Sequence, residues 1–288
     1  MKNSFLLLIG IGFFTLGSLN AQSVLEYYEK PPTAEDDNIY VKHHYDNNRV
    51  VPYAYLREAD VMWQKRYWRV VDLREKMNHP LYYPIYPIKD RKSMWEVIRN
   101  AVVNEGSVAA YGDDEFRTPI TPEEIEAKIF SIDTLVDWDI DTGEEFTRLD
   151  TVKMDNKDVL EYIIKEDWFF DKQRSVMEVR ILGICPVGYI ENSETGNKEP
   201  QKLFWIWFPE VREHLAHGEV FNPNNDSERR TFDEILHLRK FSSYITKESN
   251  VYDREIYDYK KFMAMEQILE AEKIKESIRN FEHDLWEY

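Results

Sequence analysis

The sequence is poor in cysteine, since Cys185 is the only one among 288 residues. An internal disulfide is therefore excluded. The thiol lies in the apolar stretch of residues 181–185, so we expect it to be buried. The alternative is an intermolecular disulfide, because a leftover cysteine of an exported protein can pair with a second chain.

Long apolar runs are absent beyond the N-terminus, where residues 5–16 are almost entirely apolar. That run is shorter than the ~20 apolar residues that a transmembrane helix needs. Lys2 before it and Ala21 after it complete the pattern of a secretory signal peptide. We predict that residues 1–21 are removed by cleavage after Ala21. The mature chain is then exported without direct membrane insertion, and no cysteine follows the apolar run to carry a lipid anchor.

Basic residues are outnumbered: 37 lysines and arginines stand against 54 aspartates and glutamates, for a net charge of −17. A chain this acidic is a poor ligand for nucleic acid and for anionic lipid. The charge would also make copies of the chain repel one another. Any self-assembly must therefore use local patches or a basic partner.

The common catalytic motifs are absent too. The sequence contains no Gly-x-Ser-x-Gly, no phosphate-binding loop and no dinucleotide fingerprint. His214 and His217 share one helical face, but a zinc protease motif would be His-Glu-x-x-His, so we interpret them as surface histidines. We therefore predict a protein that is not an enzyme, with no catalytic residue, metal site or cofactor. A metal-dependent hydrolase using His214 and His217 and a soluble ligand-binding module are the alternatives.

Two acidic clusters have simple structural explanations. Asp137, Asp139 and Asp141 precede Gly143, but the calcium loop of an EF-hand places its glycine and its last ligand at other positions. A hairpin turn explains this segment better. The acids of residues 112–116 are interpreted as a solvated loop.

Hydrophobic periodicity predicts an α+β fold with a mainly antiparallel central sheet flanked by helices, because the strands follow one another without crossover helices. An extended N-terminal arm covers residues 22–55, the core domain covers 56–250 and a long C-terminal helix lies within 251–288. Predicted helices cover 60–77, 93–104, 121–129, 209–216, 231–241 and 253–286. Predicted strands cover 130–140, 146–152, 162–170, 176–190 and 203–208.

The C-terminal segment repeats apolar residues every three or four positions, from Ile268 to Leu285. Its predicted length exceeds the ~11–12 residues of an average helix. Two alternatives remain open at this stage: packing on its own domain and packing on a partner.

The segment of residues 57–84 is where aromatic and basic residues concentrate. Trp, Tyr and Arg dominate interface energetics, so this segment is a candidate interaction surface. Its candidate residues are Arg57, Lys65, Arg66, Arg69, Arg74, Lys76, Tyr82 and Tyr83. The alternative is that the aromatic residues belong to the core and the basic residues pair with acids of the same chain.

The same segment, DVMWQKRYWRVVDLREKMNHPLYYP from Asp60 to Pro84, resembles the gliding-motility family GldN, called PorN in non-gliding relatives. Residues 168–171, 180–184 and 203–209 agree with it, so the resemblance extends over about residues 50–245. It implies a periplasmic structural subunit of the type IX secretion system of Bacteroidetes. It further implies a homo-oligomeric ring built with the outer-membrane lipoprotein GldK or PorK, and contact with the inner-membrane motor protein GldM or PorM. No catalytic residues accompany this family.

Overall fold

The computed structural model of the chain describes residues 48–89, 91–138, 145–191, 198–222, 225, 227–261 and 263–285. The predicted signal peptide, with its cleavage site after Ala21, and most of the predicted N-terminal arm lie outside these residues. Asp139 and Asp141 of the acidic turn also lie outside them. No helix in the described ranges is both long and apolar enough to cross a membrane.

The predicted α+β class with a mainly antiparallel sheet is confirmed. Eight strands form one sheet in the order β12-β1-β6-β7-β9-β2-β3, with β8 also paired to β7, and every pairing is antiparallel. Two further two-stranded sheets are β4-β5 and β10-β11. The strands are β1 (Val61–Asp72), β2 (Ala110–Tyr111), β3 (Pro119–Ile120), β4 (Phe130–Trp138), β5 (Glu145–Lys153), β6 (Val159–Asp171), β7 (Val176–Glu191), β8 (Lys198–Lys202), β9 (Trp205–Trp207), β10 (Glu219–Val220), β11 (Arg230–Thr231) and β12 (Tyr244–Glu248).

Helices cover the sheet and extend its core. They are α1 (His79–Tyr82), α2 (Met94–Arg99), α3 (Pro122–Ile129), α4 (Phe208–Ala216), α5 (Phe232–His237), α6 (Ile256–Tyr259) and α7 (Ala264–Asp284). A π-helical turn, Asn100–Asn104, continues α2, so the predicted helix over 93–104 is confirmed. Ser93 caps it as expected, accepting a hydrogen bond from the Glu96 amide at 3.3 Å. The largest core packs α2, α4 and α5 against the sheet.

The predicted helix over residues 60–77 is wrong, because this segment is strand β1. β1 pairs with β12 on one side and β6 on the other. A central strand with both faces covered lacks a clean alternation of polar and apolar residues, so its apolar positions also fit a helical period. The β-branched Val70 and Val71, and the aromatic Tyr67 and Trp68 before them, nevertheless favour a strand.

The C-terminal segment forms two helices, where the sequence predicted one. Lys260, between α6 and α7, has a non-helical backbone, and its carbonyl accepts a hydrogen bond from Gln267 Nε2 at 2.8 Å. Ile274 and Ile278 of α7 are buried in a core with Tyr67 of β1. The Trp63 and Phe281 rings stack with their centroids 4.6 Å apart. Of the two alternatives, α7 therefore packs its inner face on its own sheet.

Candidate interaction surface

Most basic side chains of β1 are ion-paired within the chain. Lys65 Nζ lies 2.7 Å from Glu248 Oε2 on β12. Arg66 donates two hydrogen bonds to Asp167 on β6, at 2.6 and 2.8 Å. These pairs neutralise the charge that made β1 look like a basic docking surface.

The basic residues at the two ends of β1 follow the same rule. Arg57 pairs with Asp60 at 2.7 Å. Arg74 bridges Asp72 at 2.8 Å and Glu161 at 3.1 Å. Lys76 differs, since it is exposed and makes no ion pair with any residue the structure describes. The basic residue of the candidate surface without an ion pair among the described residues therefore lies beyond the end of β1, in the segment that leads to the two tyrosines.

Tyr82 and Tyr83 begin an aromatic and proline-rich segment, residues 82–88, which we call the strap. The Tyr82 hydroxyl donates to the Lys157 carbonyl at 3.0 Å, and Asn156 Nδ2 donates to the Ile85 carbonyl at 2.9 Å. These bonds hold the strap against the turn that precedes β6. Tyr83 keeps half of its surface exposed, and its ring lies edge-on to that of Tyr82, with 4.8 Å between the centroids.

Three consecutive charged residues on β6 were not identified from the sequence. Lys165, Glu166 and Asp167 are all buried within the central sheet. A buried charge is costly unless it is paired and hydrogen-bonded. The one available signal was the run Lys-Glu-Asp inside an otherwise apolar predicted strand.

Glu166 is the centre of a buried ionic cluster. Arg69 of β1 donates its Nε–H to Glu166, and Arg239 donates to both carboxylate oxygens, at 2.7 and 3.3 Å. Trp168 Nε1 donates to the same carboxylate at 2.8 Å. Burial lowers the pKa of Arg69, because desolvation opposes its charge more than Glu166 supports it. Arg69 of the candidate surface is thus a buried residue and not part of an exposed face.

Lys165 lies on the opposite face of β6, where its ammonium group donates to the Asp114 carbonyl and lies 3.4 Å from the Asp114 carboxylate. Trp68 Nε1 also donates to that carboxylate, at 3.0 Å. Burial lowers the pKa of Lys165, and Asp114 opposes this shift. The loop of residues 112–116 was predicted to be solvated, and Gly112 and Glu115 are exposed, but Phe116 packs on the sheet: an added Cβ at Gly183 would lie 2.5 Å from its ring.

The two histidines considered as zinc ligands are engaged separately. His214 Nε2 lies 2.9 Å from Ser107 Oγ, whereas His217 Nδ1 lies 2.7 Å from the Glu213 carbonyl. Within the described ranges, no group of three or more His, Cys, Asp or Glu residues could hold a metal ion. The geometry therefore favours a structural interpretation of both rings.

Cys185 is fully buried in β7, next to Trp68 and Trp205. Its Sγ lies 3.5 Å from the Pro186 carbonyl oxygen, and burial raises the pKa of the thiol to about 12. A thiol with no exposed surface cannot reach a cysteine of another chain while the protein stays folded. The structure therefore shows the buried alternative for Cys185.

The buried thiol of Cys185 should make the folded protein less stable at alkaline pH. The unfolded thiol ionises near its ordinary pKa of 9.0 and the folded one near about 12, so stability falls as the pH rises from 9 to 12. Between about pH 8 and about pH 10.5 this loss is ~2 kcal/mol. Urea unfolding at the two pH values should show a loss of stability in Cys185→Ala that is smaller than the wild-type loss by this amount. The tyrosines titrate in both proteins, so their contribution cancels in the comparison. Equal losses in the two proteins would contradict the prediction.

Comparison with known proteins identifies one family. The family model described as "Gliding motility associated protein GldN" matches residues 56–287. The match covers β1, the strap, the charged residues of β6 and all of α7. It confirms the resemblance carried by residues 60–84. No curated protein matches the chain.

Proposed function

This chain belongs to the GldN family of gliding motility associated proteins, a component of the gliding motility and type IX secretion apparatus, and from that premise we propose that it is a non-enzymatic structural subunit. It acts in the periplasm, where it forms a homo-oligomeric ring with the outer-membrane lipoprotein GldK or PorK. It also contacts the periplasmic part of the motor protein GldM or PorM. Export rests on the signal peptide predicted for residues 1–21, and no cofactor is required.

The observation that carries the proposal is the exposed surface next to the end of β1. Met77, Tyr83, Tyr86 and Ile88 are exposed by 57, 49, 67 and 53%. Lys76 adds a charge without an ion pair among the described residues. Exposed aromatic side chains of this kind are enriched at protein interfaces. We therefore assign the lipoprotein contact to Lys76, Met77 and the strap.

The backbone of the strap is fixed before a partner arrives. Leu81 is buried at its base, and the hydrogen bonds of Tyr82 and Ile85 attach it to residues 156–157. A preorganised surface loses less conformational entropy on binding than a loose loop. The exposed rings of Tyr83 and Tyr86 therefore meet the conditions for binding hot spots.

Removing the two exposed rings should weaken the complex. We expect Tyr83→Ser combined with Tyr86→Ser to reduce affinity for the co-expressed lipoprotein by ~30-fold or more, the size of a hot-spot loss. Pull-down titration measures this loss, and electron microscopy of the co-expressed proteins shows whether rings form. The matched control is Tyr252→Ser with Tyr257→Ser, which removes two exposed tyrosines outside the strap.

Two outcomes would count against these assignments. Wild-type protein that stays monomeric in the presence of the lipoprotein would overturn the structural role itself. If the strap variant still forms rings and binds with the affinity of the control, the structural role stands, but the strap is not part of the interface.

A further inference from the structure

A cleft of about 1070 Å³ opens between α7 and the sheet, on the side of the Glu166 cluster. Arg69, Trp168 and Arg239 line it, together with the apolar side chains of Phe241, Leu269 and Ile278. Glutamates and lysines of α7 form much of the remaining lining. Met77 is the one residue of the proposed lipoprotein contact that also lines the cleft. The charges of the cleft do not depend on that contact.

The cluster beside this cleft carries one positive charge too many. Glu166 is fully buried and supplies one negative charge, whereas Arg69 and Arg239 supply two positive charges. Arg239 already uses two nitrogens on Glu166. The acids of α7 that line the cleft are ion-paired with cations of the lining, except for the exposed Glu282, which has no ion pair among the described residues. The buried cluster itself therefore keeps one positive charge that a monovalent anion would balance.

Arg69 is the residue of the cluster whose N–H donors are not all used by acceptors among the described residues. Its side chain is only 7% exposed, and its Nε–H bonds to Glu166. Its two terminal nitrogens donate to no residue that the structure describes. The guanidinium carbon lies 5.6 Å from the centre of the Trp168 ring, at the lining of the cleft. Arg69 lines the cleft with little exposure to water, so a carboxylate in the cleft would gain charge-assisted hydrogen bonds in a partly desolvated place.

We propose that this cleft binds a carboxylate carried by a polypeptide segment of a partner protein, with Arg69 as its anchor. A guanidinium group presents paired N–H donors that match the two oxygens of a carboxylate. The single surplus charge fits a monovalent carboxylate better than a phosphate dianion. The cleft is also much larger than one carboxylate requires, and its lining extends along α7 from Glu266 to Glu282, so an extended peptide is the better fit.

The lining of the cleft restricts the sequence of that segment. Glu266, Glu270 and Glu276 line it, and each pairs with a cation of the same lining, so α7 offers no surplus positive charge to a run of acids. Phe241, Leu269 and Ile278 offer apolar contacts. The segment is therefore one acidic residue flanked by apolar residues, and not an acidic tract.

The test compares two blocked tripeptides added to the intact ¹⁵N-labelled protein. Acetyl-Leu-Glu-Leu-amide should shift the indole Nε1–H resonance of Trp168 saturably, because Trp168 shares Glu166 with Arg69. The neutral isostere acetyl-Leu-Gln-Leu-amide should bind at least ~10-fold more weakly, which corresponds to the loss of one charged contact. This comparison needs no variant protein. Equal responses to the two peptides, or a larger response to inorganic phosphate, would overturn the proposal.

A matched pair of variants then locates the site. Arg69→Met should abolish the response to the glutamate peptide while leaving the pair of Glu166 with Arg239 in place. Arg117→Met removes the same charge from a side chain that is 77% exposed and lies outside the cleft lining, and its response should equal that of the wild type. Thermal unfolding checks that both variants are folded. A folded Arg69→Met protein that responds like the wild type would also overturn the proposal.

Discussion

Replacing Glu166 by glutamine is expected to lower the free energy of unfolding by ~3–5 kcal/mol, the cost of breaking a buried ion pair from one side. Glu166 is fully buried and is the only acid described in contact with both Arg69 and Arg239. Its amide replacement would leave Arg69, itself desolvated, beside a second cation. Since domains are stable by only ~5–15 kcal/mol, this loss should be plain in a urea unfolding curve.

The control for this experiment is Glu178→Gln on β7. Glu178 pairs with Arg174 near the surface, where its side chain is 31% exposed. Surface pairs contribute ~0–1 kcal/mol, so the control should unfold close to the wild type. Adding Arg69→Met to Glu166→Gln should recover part of the loss, because it removes the uncompensated buried cation. A Glu166→Gln protein as stable as the control would show that the cluster does not stabilise the fold.

The starts of three helices are well predicted by the sequence, because their determinants are local. Ser93, Thr121 and Thr231 each accept a hydrogen bond from the backbone amide three residues ahead. At Thr121 and Thr231 the side chain of the glutamate at that position accepts a hydrogen bond from the backbone amide of the capping threonine. The start of each of these three helices is therefore specified by a stretch of four residues.

For β1, the local sequence does not decide between a helix and a strand. Trp63, Tyr67 and Val71 recur every four residues and fit a helix, yet they also share one face of a strand. Pairing with β12 and β6 decides between the two, and those strands lie far along the chain. The ionic partners have the same origin: Glu166 is 97 residues from Arg69 and 73 from Arg239. Composition indicates abundant charge, but only the folded topology shows which charges meet.

A second buried pair, Arg212 with Asp233, joins α4 to α5 and also holds the first described residues in place. Arg212 donates to both Asp233 carboxylate oxygens, at 2.8 and 3.0 Å, and to the Val51 carbonyl at 2.9 Å. Its guanidinium carbon lies 4.4 Å from the centre of the Tyr53 ring, and that of Arg180 lies 5.1 Å from it. One ion pair thus orients the arginine that anchors residues 51–53.

Asp233→Asn should therefore have two linked effects. Urea unfolding should show a loss of ~3–5 kcal/mol, because Arg212 stays buried without its counter-charge. Trypsin should also cleave after Arg49 and Arg57 faster than in the wild type, since Arg212 no longer fixes the segment between them. Glu228→Gln, which disrupts the more exposed pair with Arg230, is the matched control and should change neither measurement by much. Loss of stability with unchanged cleavage would separate the pair from the anchoring of this segment, and unchanged stability would contradict the prediction altogether.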